Sequence, residues 1–470
     1  MIVVALLGCS WALLTPLFQA PDENAHFAYA QYLAETVALP GDSDRRFSSE
    51  EQRRATQATE ADALAGNSNA RAPWVPGAYD RWRALQARDP ALRGDGGGPN
   101  PASPYPPAYY ALGAVAYGAG SGGDVFTRVL AMRLVSVALL LVTVLGSWLL
   151  AGEFFGPGRP ELRLATAGTA GLLPMAGFVS GSVTPDALLF ASWTLALWLA
   201  VRMARVGLTA RTGVALGVVV AVALLTKTTS YALVAPALLG LAFGAWRRPS
   251  AGSALTRALP VAAVAALMLA PFAAWVLLAS ADGRASGTAL VGTQSGGGPA
   301  EFLSYVWQFY LPRLPFLTEY APDLRPNGLY DVWVTTGWAA FGWLEVRFPD
   351  WVYAVLAAVT GAVALLALIS LARHRRRVAW PGVAVLLLVL VALALGVHWT
   401  EYRLFEDGGQ NFAQGRYLLP LAAVAGLVVA QAIALLRSPG LRRGALAVWL
   451  GALFVLHVAS LGLVAVRFYA

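Results

Sequence analysis

Eleven apolar runs, most of them about the length needed to cross a hydrocarbon core, dominate this chain of 470 residues. They fall at Ile2 to Phe18 and at about 131–152, 164–182, 186–203, 213–226, 229–246, 258–279, 351–372, 380–398, 417–436 and 445–466. Inside a bilayer the backbone must satisfy its own N–H and C=O groups, which makes runs of this kind helices. Composition agrees, with 57% hydrophobic and only 13% charged residues, against roughly 25% charged in a typical soluble domain. The mean hydropathy is +0.58. The predicted fold class is therefore an all-α polytopic membrane protein of about eleven transmembrane helices, a single membrane domain over 1–470. Soluble enzymes, disordered chains and nucleic-acid binders are excluded together.

A net charge of +8 and a pI near 9.7 would point to a polyanion partner in a soluble protein. Their placement says otherwise. With the amino terminus inside, five short loops on the inner face hold fifteen arginines: Arg159 and Arg163; Arg202, Arg205 and Arg211; Arg247, Arg248 and Arg257; Arg373, Arg375, Arg376 and Arg377; Arg437, Arg442 and Arg443. The positive-inside rule accounts for this bias, and long segments escape it. The segment 41–128, with ten arginines against ten acidic residues, can thus lie outside. The first run lacks a small-residue cleavage pattern before Pro21-Asp22-Glu23 and reads as an uncleaved anchor. The single cysteine, Cys9, allows no intramolecular disulfide and no cysteine-based metal site. One lysine among 34 basic residues suggests a GC-rich bacterial genome, hence a bacterial cytoplasmic (inner) membrane location.

Two large regions remain on the extracytoplasmic side, 19–128 and 280–350, and function is expected there. The first opens with an amphipathic segment in which Phe27, Ala30 and Leu33 line one face, which suits an interfacial helix. The stretch 41–100 is polar and Gly/Pro-rich and reads as irregular loop. Residues 108–119 are apolar but too short to span, and read as a second interfacial helix. The second region, over 301–348, is dense in aromatics such as Tyr305, Trp307, Trp333 and Trp343. It reads as a membrane-surface belt, with sugar stacking and lipid packing as alternatives.

Asp22, Glu23 and His26 share one helical face where the first span leaves the membrane. That spacing offers a base, a second carboxylate and an imidazole, although Pro followed by acidic residues is also ordinary helix-start chemistry. Asp186, in Thr184-Pro185-Asp186, stands at the same membrane face, with Thr184 as a helix cap. Two such carboxylates can flank a substrate or share a divalent cation; the residues leave metal binding open and assign no cofactor. Lys227 interrupts the hairpin between two apolar runs, and Arg416, in Gly415-Arg416-Tyr417, precedes a late span. Both suit an anionic headgroup, alongside snorkelling to the surface. No phosphate-cradling P-loop appears, which argues against a cytoplasmic nucleotide-using domain.

In order along the chain, Pro21-Asp22-Glu23-Asn24-Ala25-His26-Phe27, Tyr105-Pro106-Pro107-Ala108-Tyr109-Tyr110, Pro185-Asp186-Ala187-Leu188, Leu225-Thr226-Lys227 and Gly415-Arg416-Tyr417 resemble the GT-C superfamily of integral-membrane glycosyltransferases. The branch they resemble most holds uncharacterised bacterial proteins related to protein mannosyltransferases and aminoarabinose transferases. The resemblance implies two membrane-parallel helices in the first extracytoplasmic loop and inverting transfer of a sugar from a polyprenyl-phosphate carrier to a glycan, lipid or protein acceptor. It implies Asp22 as catalytic base with Glu23 beside it, and Lys227 and Arg416 at the phosphate. His26, Tyr109, Tyr110, Asp186 and Tyr417 complete the expected substrate-binding set. Membrane lipid is an expected partner and nucleic acid is not. A transporter or flippase of lipid-linked sugars and a polyprenyl-pyrophosphate glycan ligase are the competing readings, the former disfavoured because no internal repeat is visible.

Overall fold

The computed structural model describes every residue except 42–48, 71–76, 78–79, 81, 85–86, 88–96, 99, 248–253, 283–297, 318–327 and 407–412. All eleven apolar runs are helical. Eight helices among the described residues reach spanning length and apolarity: Val125–Phe155, Asp186–Val206, Thr228–Trp246, Ala258–Ala281, Asp350–Arg373, Trp380–Phe405, Gly415–Ile433 and Pro439–Tyr469. A ninth forms if Pro160–Leu172 and Pro174–Ser180, bent by 55° at their junction, count as one broken span. The bend falls where Pro174 has no N–H to donate and forces Leu173 out of helical geometry.

The other two runs form shorter helices, Ile2–Leu14 and Ala210–Leu224. Ile2–Leu14 is 13 residues long, about 20 Å of rise. It stops early because Pro16 disfavours helical geometry at Thr15. Of the eleven apolar runs, eight or nine thus form helices of full spanning length and two form shorter ones.

Asp186–Val206 is the central post. It packs against Val125–Phe155, Ala210–Leu224, Tyr231–Trp246 and Trp380–Glu406, and 83% of its apolar window is buried. At the rim, Asp350–Arg373 is more apolar yet only 11% buried in the same sense, with Leu365, Leu366 and Leu368 exposed. Such a surface is stable against lipid and not against water.

The first loop is built on the expected helix pair. Glu23–Thr36 packs against Ala108–Ala119, and Phe27, Tyr29, Ala30 and Tyr110 are fully buried between them and the spans. Of the stretch 41–100, read from sequence as irregular, Glu50–Thr59 forms a helix capped by Ser49, whose Oγ accepts the Gln52 amide at 3.1 Å. Much of the rest, including 71–76 and 88–96, lies outside the described residues. The second loop contributes a two-stranded antiparallel hairpin, Ala340–Phe341 with Val346–Arg347. Its turn carries Gly342 and Leu344 at positive φ.

Candidate active site

Where Ile2–Leu14 leaves the bundle, the chain turns sharply and Asp22 adopts a left-handed backbone conformation (φ 62°, ψ 6°) as the residue before helix Glu23–Thr36. Asp tolerates this region better than most residues, at a strain of order 1 kcal/mol. Its carboxylate makes no capping hydrogen bond to that helix. Instead it remains half exposed and faces Arg416, whose Nη2 lies 3.3 Å from Asp22 Oδ2. The helix-start reading of Asp22 therefore does not describe where its side chain goes.

These two groups line a cavity of about 460 Å³, together with His26, Tyr105, Trp343 and Tyr417 among others. The first-loop helix and its N-cap supply His26 and Asp22, the hairpin turn of the second loop supplies Trp343 and Leu344, and the start of the Gly415–Ile433 span supplies Arg416 and Tyr417, with Gln414 just before it. Trp343 is held over the site by donating its Nε1–H to the Phe18 carbonyl at 3.2 Å. Arg416 is placed by its neighbour: the Gly415 amide donates to Thr336 Oγ1 at 2.6 Å, and a Cβ on Gly415 would collide with the backbone of Gly337.

Glu23, next to Asp22, points the other way. It is fully buried and forms a fork with Arg133, at 2.7 and 2.6 Å, and also accepts the Val183 amide at 2.9 Å. Arg133 in turn donates to the carbonyls of Ala12, Thr15 and Pro16. One charge-assisted cluster thus joins the end of the first helix, the first-loop helix, the Val125–Phe155 span and the buried turn at 181–185. Tyr109 belongs to the same support: its hydroxyl accepts the Thr184 amide and bonds Ser136 Oγ, each at 2.9 Å.

His26, one turn beyond Asp22, is buried and bonds Tyr110 Oη through Nδ1 at 2.8 Å, with Tyr110 stacked on Tyr29 at 3.7 Å. Burial pushes the imidazole down to about 4, against the opposing pull of the Asp22 carboxylate. The ring is therefore neutral near pH 7. Lys227 Nζ pairs with Asp186 Oδ1 at 2.7 Å and lies over the rings of Tyr105 and Tyr417. Burial would lower the Lys227 ammonium pKa, but the Asp186 carboxylate more than offsets it and holds the group above its usual range.

Of the residues singled out from sequence, Asp22, His26, Arg416 and Tyr417 line the cavity, Asp186 and Lys227 form an ion pair beside it, and Glu23, Tyr109 and Tyr110 hold the framework behind it. Thr184 Oγ1 accepts the Asp186 amide at 3.3 Å, but the residue in the N-cap position is Pro185, so the expected Thr184 cap does not form. Sequence reasoning missed Arg133; its signal was a lone charge inside the 131–152 run, where it needs a partner. It also missed Trp343, which nothing in the aromatic-rich stretch distinguishes from its neighbours.

Among the described residues no three His, Cys, Asp or Glu side chains form a metal-ligating group. Asp22 and Asp186, the carboxylates open to a shared cation from sequence, face Arg416 and Lys227 instead. The cavity is also chemically unfinished. Among the described residues Arg416 Nε is buried without a hydrogen-bond partner, and so is Gln414 Oε1.

A bundle of spanning helices, with a buried helix pair in its first loop and a polar cavity at one end, defines an all-α polytopic membrane protein. The chain aligns with the apo structure of ArnT from Cupriavidus metallidurans at a TM-score of 0.50 and 15% identity, covering 99% of this chain and 77% of that one. ArnT from the same organism bound to undecaprenyl phosphate aligns at 0.47 and 15%, covering 99% and 64%. The archaeal oligosaccharyltransferase AglB from Archaeoglobus fulgidus, in complex with an inhibitory peptide and a dolichol-phosphate, aligns at 0.48 and 13%, covering 98% and 55%. The chain thus spans 64% of the length of the lipid-bound ArnT chain and about half of AglB. At these identities the likeness is one of fold. Residues 5–425 match the family described as "Predicted membrane protein (DUF2142)", and the chain belongs to that family. No curated protein matches it.

Proposed function

We propose that this protein is an inverting glycosyltransferase that moves a sugar from a polyprenyl-phosphate carrier to an extracytoplasmic acceptor, a glycan, lipid or protein. The observation that carries the reading is the pairing of Asp22 with Arg416 across a cavity open enough for a sugar, with the Arg416 Nε–H left without an acceptor. An inverting transfer needs a carboxylate to take the acceptor hydroxyl proton as that oxygen bonds the anomeric carbon. It also needs positive charge on the phosphate that leaves with the bonding electron pair. Asp22 serves as the base and Arg416 as the phosphate ligand. Lys227 adds positive potential from beside the site while neutralised in part by Asp186.

Asp22 and Arg416 hold each other at 3.3 Å. A donor phosphate that takes Arg416 bidentately releases Asp22 toward the acceptor. Neutral His26 stands one turn from Asp22 and positions the acceptor by hydrogen bonding. Glu23, expected from sequence beside the base, is a positioning residue: with Arg133 it fixes the turn that bears Asp22.

The test is incubation of the purified protein with a panel of polyprenyl-phosphate sugars and, separately, with soluble nucleotide sugars. Consumption of a lipid-linked donor alone agrees with the proposal. Efficient use of a nucleotide sugar, or of no lipid-linked donor in the panel, contradicts it.

A further inference from the structure

At the opposite end of the bundle from the active site lies a second, differently built cavity. Val125–Phe155 runs between the two: Arg128 near its start bonds into the first loop, whereas Phe154 and Phe155 at its end line this cavity. The 27 residues between Arg128 and Phe155 amount to about 40 Å of helix. The cavity has a volume of about 260 Å³, and Arg159, His374, Arg437 and Arg442 bring positive or protonatable groups to it. Arg442 is paired with Glu161, at 2.9 Å. Among the described residues the guanidinium groups of Arg159 and Arg437 make no ion pair or hydrogen bond, and both residues are exposed. The cavity therefore carries an uncompensated positive charge.

An apolar groove of about 370 Å³ adjoins it, and Leu435 and Leu436 line both. The groove lies between the Asp350–Arg373, Ala422–Ile433 and Pro439–Tyr469 helices, with Leu366, Val448 and Trp449 among its walls. Val448 is 74% exposed. It therefore opens sideways onto the zone that the surrounding apolar helices mark as hydrocarbon. A basic pocket continuous with a lateral apolar groove matches one kind of molecule: a phosphate head attached to a hydrocarbon tail.

We propose that this pair of surfaces is a binding site for an anionic phospholipid of the surrounding leaflet. Its phosphate sits between Arg159 and Arg437, and one acyl chain lies along Leu435, Leu436 and Trp449. The site is independent of the transferase reading, since it shares no residue with the Asp22 cavity. Arginine suits this task because its planar fork grips phosphate oxygens in pairs.

Native mass spectrometry of the full chain in detergent tests this with four probes: dioleoyl-phosphatidylglycerol, dioleoyl-phosphatidylcholine, short-chain dihexanoyl-phosphatidylglycerol and inorganic phosphate. Retention of dioleoyl-phosphatidylglycerol is expected to exceed that of the choline lipid by about tenfold. The short-chain lipid and inorganic phosphate should be retained weakly. The double variant Arg159→Gln/Arg437→Gln should lose the preference, while Arg211→Gln, an exposed arginine that lines neither surface, should keep it. Equal retention of both headgroups, equal loss in Arg211→Gln, or inorganic phosphate bound as well as the long-chain lipid would overturn the proposal. Both substituted arginines are exposed, and the unfolding temperature of the double variant, compared with wild type, shows that the chain is intact.

Discussion

Arg416 Nη2 lies 3.3 Å from Asp22 Oδ2, joining residues 394 positions apart in the sequence across the mouth of the cavity. The carboxylate is half exposed and the guanidinium largely covered, so the pair is held by the Arg416 side and free to open on the Asp22 side. A new anion entering the cavity competes for the guanidinium and frees the carboxylate.

Replacement of Arg416 by lysine keeps the charge and removes the fork. Arg416→Lys is expected to raise the apparent donor KM by about tenfold with little effect on acceptor affinity, because a point charge cannot reproduce bidentate phosphate contact. Donor titrations at saturating acceptor check this; an unchanged KM would remove Arg416 from the phosphate.

Glu23 and Arg133 are expected to behave as structure, not chemistry. Either Glu23→Gln or Arg133→Gln leaves a buried charge unpaired, at a cost of about 3 to 5 kcal/mol. Both variants should lose thermal stability in detergent and lose activity in proportion to the folded fraction. Full stability with selectively lost turnover in Glu23→Gln would make it a catalytic group.

Lys227 needs a paired test, because Lys227→Ala alone strands the Asp186 carboxylate. The double variant Lys227→Met/Asp186→Leu should recover most of the stability lost by Lys227→Ala. Any donor-KM defect that persists in the double variant reports the contribution of Lys227 to the leaving phosphate. A double variant with wild-type donor kinetics would confine the pair to a structural role.

His26 is neutral in the fold because burial holds it at about 4, below its ordinary 6.5. A histidine with a lowered folded pKa contributes stability that is present above about 6.5 and lost as pH falls toward 4. The loss between pH 7 and pH 5 amounts to about 2 kcal/mol. Thermal unfolding at the two pH values should therefore separate wild type from His26→Gln, with the wild type losing more. Parallel losses in both would mean that the ring is protonated in the fold.

The helices were legible because apolar run length is a strong signal and every run became one. Their lengths were less so: Pro16 and Pro174 cut two of them, and a hydropathy run does not register where a proline ends hydrogen bonding. Asp22, His26 and Arg416 could be placed together because each stands where a span begins or ends on one face. The division of labour between Asp22 and Glu23 could not be read, since adjacent residues share a spacing argument and only packing sends one inward to Arg133. The Lys227–Asp186 pair was hidden for a similar reason: sequence marked Lys227 as a costly charge and Asp186 as a carboxylate at the same membrane face without showing that they satisfy each other.

Topology fixes which side of the membrane the cavity faces. In a Cys9→Ser background, Ser121→Cys, at the active-site end, should react with an impermeant maleimide on intact cells. Ser438→Cys, in the arginine-rich loop before Pro439–Tyr469, should react only after permeabilisation. The reverse pattern would place the cavity inside.

Transfer by wild type and Asp22→Asn, measured side by side with one lipid-linked donor at saturation, tests the central claim most directly. The substitution removes the proton acceptor and almost no volume, so donor binding and unfolding temperature should hold while turnover falls by at least about a hundredfold. Asp22→Asn turning over at more than a tenth of the wild-type rate would show that the base lies elsewhere.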